Sequence, residues 1–350
     1  MKIFFLSFLT VLIIVACSKP AKLQSYSGGD CNIEYVGRGE YTSDSLGVRQ
    51  WASGAYFSFA FEGNECTLMI INEILYSGSF NYLELVLDDK ESRIKVDSAI
   101  NTISLDSLID TSRNRHTLLV CRDTESSHGY TQLAEVTTRN LQAWSPTDIE
   151  APLIEFIGNS ITCGAEAYCD EVPYGTGNWG DRHRAYFAYG PRAARMMNAK
   201  WMLTSVSGIG LIRSCCDMDI CMPMVYDKID LRDNDIDYNF AIKPQTICIC
   251  LGQNDGIQDS TAFCSAYVDF IGMVREKNPE SRIVMLTSPM ADDTLRSWLM
   301  KMILSVESAT EGTEHYFFTR QWKNGGGDHP DCQEHEQIAL ELVAYLNRNQ

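Results

Sequence analysis

Two patterns of apolar and polar positions divide the chain. Between residues 32 and 138, strand-length runs recur at 56–61 (YFSFAF), 67–71 (TLMII), 81–87 (NYLELVL) and 116–121 (HTLLVC). Gly, Asn, Asp and Ser clusters separate them at short spacing, without sustained helical periodicity, which predicts an antiparallel β-sandwich. The stretch 144–152 (WSPTDIEAP), with its two prolines, reads as the passage between domains. Beyond it, strands are expected at 153–157, 199–206, 246–251, 283–287 and 316–318, and helices at 184–198, 262–277, 294–308 and 332–347. A loop rich in Gly and Tyr fills 165–181, and a long loop runs to 239. Alternating strands and helices predict a parallel sheet covered on both faces, with the site at the carboxyl ends of its strands.

Composition narrows the picture. At 350 residues, 45% of them hydrophobic, the chain has room for two domains with sizeable cores. The net charge of −17 repels phosphate backbones and argues against a nucleic-acid partner. At the N-terminus, Lys2 precedes an apolar run at 3–16 that fits a secretory signal and is too short to span a bilayer. The run ends IVAC, which resembles a bacterial lipobox. The small residue before Cys17 favours cleavage after residue 16, lipidation of Cys17 and a tether over 17–31, against the alternative of an ordinary signal peptide. The expected domains are then 32–145, the β-sandwich, and 150–350, the α/β domain. The other twelve of the thirteen cysteines do not form a disulfide framework. Cys248 and Cys250 read as small core residues, while Cys163 with Cys169, or a pair among Cys215, Cys216 and Cys221, could join.

Four strand ends or late loops carry reactive or oxyanion-binding groups. Ser160 follows strand 153–157 across the turn-forming pair Gly158 and Asn159, where a nucleophilic hydroxyl and a free N–H can both face a site. Gly208 follows strand 199–206, where a backbone N–H can approach a ligand closely. Asn254 follows strand 246–251 with an amide able to donate to an anion, and His329 precedes the last helix. Acyl transfer needs such a nucleophile, base and set of donors. Each residue alone has a plainer explanation: a turn for Gly208, a helix cap for Asn254 and Asp255, a helix entry for His329.

Taken together, the four resemble the blocks of the SGNH (GDSL-like) hydrolase superfamily. The matching stretches are 157–164 (IGNSITCG), 207–210 (SGIG), 252–255 (GQND), and His329 and Pro330 with His335. More narrowly, the chain resembles carbohydrate esterase family 2, in which a small jelly-roll-like β-sandwich precedes an SGNH domain with a three-layer sandwich. Residues 116–125 (HTLLVCRDTE) look like that family's last sandwich strands, so the resemblance runs over roughly 32–348. It implies a Ser160–His329 esterase with an oxyanion hole made by the N–H groups of Ser160 and Gly208 and the Asn254 amide. It also implies an acetylated carbohydrate substrate and no metal or organic cofactor. One position departs from the superfamily pattern. The residue three before the histidine is Gly326 instead of an aspartate, so a Ser–His dyad is expected, with Asp328 as a weak candidate orienter of the imidazole.

Trp179 and Trp322 are candidate sugar platforms, and Asp255 is a candidate substrate contact or helix cap. His335 with Cys332 and His329 suits helix packing better than metal binding, and His116, His128, His183 and His315 are read as structural. Two rival functions remain open: an SGNH esterase or lipase for another acyl ester, and a non-catalytic glycan-binding lipoprotein. Oligomeric state is not legible.

Overall fold

A computed structural model describes residues 22–42, 45–144, 151–232, 234 and 236–349. The expected signal peptide, Cys17 and the interdomain residues 145–150 lie outside the described residues. The first half of the chain is an antiparallel sheet of eight strands: β1 (Gln24–Ser27), β2 (Glu34–Val36), β3 (Tyr56–Asn72), β4 (Asn81–Leu87), β5 (Lys90–Val96), β6 (Ile100–Ser104), β7 (Arg115–Arg122) and β8 (Thr131–Gln142). The runs expected as separate strands at 56–61 and 67–71 are one continuous strand, β3. Register shifts between Glu62 and Cys66 and between Met69 and Ile70 absorb the polar interruption as bulges, so no turn forms there. One end of β3 pairs with β7 and the other with β6, and together they enclose a core built on Phe57, Phe59, Phe61, Leu68, Leu85 and Val120.

The second half is a parallel sheet of β9 (Leu153–Gly158), β10 (Lys200–Ser205), β11 (Thr246–Ile249), β12 (Arg282–Leu286) and β13 (Thr313–Tyr316), in the order β10-β9-β11-β12-β13. Its helices are α1 (Ser160–Cys163), α2 (Tyr189–Met196), α3 (Met222–Val225), α4 (Ser260–Lys277), α5 (Asp293–Ala309) and α6 (Cys332–Leu346). Alternation along β11 and the residue after it assigns the two faces. Ile247 and Ile249 pack with Phe263 and Tyr267 of α4 and Leu299 of α5, while Cys248 and Cys250 pack with Tyr189 of α2 and Ile338 and Leu342 of α6. Strands covered on both faces read as unbroken apolar runs, which is why β9 to β12 were visible in the sequence. The strand expected at 316–318 instead lies at Thr313–Tyr316, a polar and half-buried edge strand without such a run.

The helix expected over 184–198 is shorter than its apolar pattern. Pro191 has no N–H to give to Phe187, so the α-helix begins at Tyr189 with proline in its first turn, after a 3-10 turn at Ala185–Phe187. Asp259, Asp292 and Asp331 cap α4, α5 and α6 through side-chain bonds to the third residue of each. No helix among the described residues is long and apolar enough to cross a membrane.

The two halves meet through buried polar contacts. Arg38 is fully buried between them, 3.3 Å from Glu155 of β9. Arg184 grips Glu84 of β4 with two bonds of 2.8 and 2.9 Å. The Asp123 carboxylate accepts the Tyr186 N–H at 3.1 Å.

Candidate active site

A cleft of about 540 Å³ opens at the carboxyl ends of β9, β10 and β11, and Ser160, Gly208, Asn254 and His329 all line it. Ser160 begins α1 directly after β9, which brings its hydroxyl to the end of the sheet. His329 sits two residues before the α6 cap, and its Nε2 lies 2.8 Å from Ser160 Oγ. Its Nδ1 faces the carbonyls of Gly327 at 2.9 Å and Gly326 at 3.1 Å. Carbonyls only accept, so Nδ1 carries the proton and Nε2 presents its lone pair to the serine hydroxyl. Burial lowers the His329 pKa below the ordinary histidine value, and the two carbonyls partly offset that.

Candidate donors line the same cleft. Among the described residues the N–H groups of Ser160 and Gly208 carry no hydrogen bond. Gly208 has φ of +84°, a left-handed conformation, and a Cβ there would stand 2.9 Å from the sulfurs of Cys215 and Met218. The Asn254 amide donates one hydrogen to the Ile209 carbonyl at 2.8 Å, leaving its second for the cleft.

Three expectations are corrected. Asp328 lines the cleft but is exposed, at φ +60°, and the acceptors at His329 Nδ1 are the two carbonyls instead of its carboxylate. Asp255 is wholly buried, and its carboxylate accepts the N–H groups of Leu211, Ile212 and Arg213 at 2.7 to 3.1 Å. It fixes the loop after β10 and has no free face for substrate. Trp322 is 2% exposed within the core under α2 and α6, stacked by Arg320 at 3.6 Å, so it offers no platform. Trp179 does reach the cleft: it is 38% exposed and stands edge-on to the His329 ring at 5.9 Å.

The structure adds two residues. Glu125, from the turn between β7 and β8, places its carboxylate 2.7 Å from His183 Nε2, 3.0 Å from Trp179 Nε1 and 2.7 Å from the Ser207 N–H. The available signal was the cluster Arg122, Asp123 and Glu125 at the end of an apolar strand. His183, read as an unpartnered structural residue, is Glu125's partner. His335 lies wholly buried and accepts the Tyr189 N–H at 3.1 Å, in keeping with a packing role. Among the described residues no group of three or more His, Cys, Asp and Glu is arranged to hold a metal ion, and Cys163, Cys169, Cys215, Cys216 and Cys221 are free thiols.

Comparison with known proteins places the fold and the N-terminal domain among known relatives. Residues 35–147 match the model of the family "Carbohydrate esterase 2 N-terminal". The chain is 28% identical over 333 residues to "Cellulase/esterase CelE" of Acetivibrio thermocellus, covering 90% of this chain but only 39% of that longer protein. It is 23% identical to an "Acetylxylan esterase / glucomannan deacetylase" of Cellvibrio japonicus, covering 95% of this chain and 94% of that one. Its fold superposes on a family two carbohydrate esterase from Cellvibrio japonicus with a TM-score of 0.83 at 20% identity, over 94% of this chain and 98% of the other. Residues 35–147 thus carry a domain of the carbohydrate esterase 2 N-terminal type, and the chain as a whole is similar in sequence and fold to family two carbohydrate esterases.

Proposed function

We propose that this protein is a serine esterase that removes O-acetyl groups from polysaccharides or oligosaccharides of the xylan or glucomannan type. The observation that carries the reading is the 2.8 Å contact between Ser160 Oγ and His329 Nε2, with Nδ1 held by carbonyls. The acetyl-glycan substrate is supported by the relatives' names. In this mechanism His329 Nε2 takes the Ser160 proton as Oγ bonds to the acetyl carbonyl carbon. The resulting oxyanion lies against the N–H groups of Ser160 and Gly208 and the free hydrogen of Asn254. The imidazolium then protonates the departing sugar oxygen, the acetyl C–O bond breaks, and an acetyl-serine remains. Water, deprotonated by His329, attacks that ester, and acetate leaves as the proton returns to Ser160. Trp179, exposed at the cleft wall, is the candidate sugar platform.

The same proposal includes export and anchoring through a lipidated Cys17, supported by the apolar run at 3–16 and the Ala16–Cys17 pair. Acetate release from an aryl acetate, acetylated xylan and acetylated glucomannan by residues 18–350 tests the activity, with Ser160→Ala as control. Release abolished by the substitution is the expected result, and the ranking of the two glycans identifies the polymer. A folded protein that releases nothing from any of them overturns the reading in favour of another acyl ester or a glycan binder.

A further inference from the structure

The mechanism leaves one buried carboxylate at the cleft unused. Glu125 belongs to the antiparallel sheet domain, yet the residue is 2% exposed and its side chain ends among cleft residues of the other half. One oxygen accepts the Ser207 N–H at 2.7 Å, and Ser207 immediately precedes Gly208. The other oxygen accepts from Trp179 Nε1 at 3.0 Å and faces His183 Nε2 at 2.7 Å. The Cys163 thiol, three residues after the nucleophile, approaches at 3.5 Å. Glu125 is itself anchored, since Arg122 donates to its carbonyl at 2.7 Å and Arg232 donates to the next carbonyl, of Ser126.

Burial opposes a charge at this position, but the donors from His183, Ser207 and Trp179 outweigh it and hold the carboxyl well below the usual carboxylate range. A desolvated charge adds little net stability to an interface compared with apolar packing. What it supplies here is direction. The Ser207 N–H is pulled toward Glu125, and the Gly208 carbonyl is tied to the Cys215 N–H at 2.9 Å. The peptide bearing the Gly208 N–H is thus held from both sides.

Resting on the esterase reading above, we propose that Glu125 is a positioning residue. It aims the Gly208 N–H at the oxyanion and fixes the Trp179 wall, so the antiparallel domain completes the active site.

The test uses residues 18–350 with Glu125→Gln, Trp179→Phe and both together, measuring kcat and KM on an aryl acetate per active site titrated with an organophosphonate. A glutamine cannot accept from all its neighbours, because wherever its oxygen points, its NH2 meets a donor. An oxyanion role acts on the transition state, so Glu125→Gln is expected to lower per-site kcat about 10- to 100-fold with KM within about threefold. Trp179→Phe removes the indole N–H. The glutamine oxygen can then serve Ser207 while its NH2 donates to His183 Nε2, whose Nδ1 faces the carbonyl of residue 179 at 3.0 Å. The double variant should therefore recover part of the loss. General loosening of the interface would lower the titrated fraction and would show no such recovery. Per-site kcat within twofold of wild type, or a loss that the second substitution does not relieve, overturns the role. Turnover that is absent, or that survives Ser160→Ala, overturns the esterase reading and this role with it.

Discussion

The Nδ1 of His329 and the carbonyl of Gly327 stand 2.9 Å apart, so a peptide group does the orienting that a carboxylate does elsewhere. Asp328, between them in sequence, is exposed and adopts φ of +60°, which asparagine tolerates well. Asp328→Asn is expected to keep kcat/KM within about threefold of wild type, the range of an ordinary surface change. A loss of a hundredfold in steady-state assays would make Asp328 the missing acid.

The environment of His329 sets the pH profile. A base must be neutral to accept the serine proton, and burial has moved this histidine below its ordinary value of 6.5. The acid limb of kcat/KM should therefore have its midpoint below 6.5, with a plateau through neutral pH. Burial drives the shift downward, and the carbonyls of Gly326 and Gly327 offset only part of it. A midpoint above 6.5 would contradict the carbonyl-held dyad.

Asn254 and Asp255 are neighbours with opposite expected phenotypes. Asn254 offers one amide hydrogen to the cleft, so Asn254→Ala should cost roughly 100- to 1,000-fold in kcat while the fold survives. Asp255 accepts three successive N–H groups from Leu211, Ile212 and Arg213. Asp255→Asn turns an NH2 toward donors and should cost on the order of 1–3 kcal/mol in denaturant unfolding. Activity should fall as well, because the loop it braces carries Gly208.

What could be read from the sequence followed from how local the causes are. Strands β9 to β12 announced themselves because both faces are buried, whereas the polar, half-buried edge strand β13 was expected about three residues too late. Ser160, Gly208, Asn254 and His329 stood out because each sits just beyond a strand or before a helix. Asp255 and Trp322 were misjudged for the same reason: proximity in sequence to a site residue does not tell which way a side chain faces. Glu125 was out of reach because its partners Trp179, His183 and Ser207 lie 54, 58 and 82 positions away. Only the docking of two sheets brings them together.

Two buried histidines contribute to the loss of stability in acid. Burial lowers the pKa of His335 to about 3 and that of His128 to about 4, from 6.5. Both stay neutral in the fold while the unfolded chain takes up protons below 6.5. Their contribution to stability is thus fully present above 6.5 and falls as pH drops toward the folded values, by about 1.4 kcal/mol per pH unit for each group. His335→Gln keeps an acceptor for the Tyr189 N–H and removes one of those protons. Chemical denaturation between pH 4 and 6 should show a slope shallower by roughly one proton; an unchanged slope would mean that His335 is protonated in the fold.

The glycine that replaces an aspartate three residues before His329 has a steric reason. A Cβ at Gly326 would lie 2.0 Å from Cδ2 and 2.4 Å from Cγ of Tyr174, too near the root of that side chain for a rotamer change to relieve. Gly326→Asp therefore cannot simply restore a triad. It would push the 165–181 loop and the His329 carbonyl cradle apart, and a displacement of about 1 Å at a catalytic base can cost on the order of 100-fold. Tyr174→Gly on top of Gly326→Asp removes the obstructing ring and Cβ. The double variant should regain activity relative to Gly326→Asp alone, and its acid limb should shift upward if the new carboxylate reaches Nδ1. Steady-state pH profiles of the single and double variants decide the matter: a fully active Gly326→Asp protein would show that Tyr174 does not exclude a side chain there.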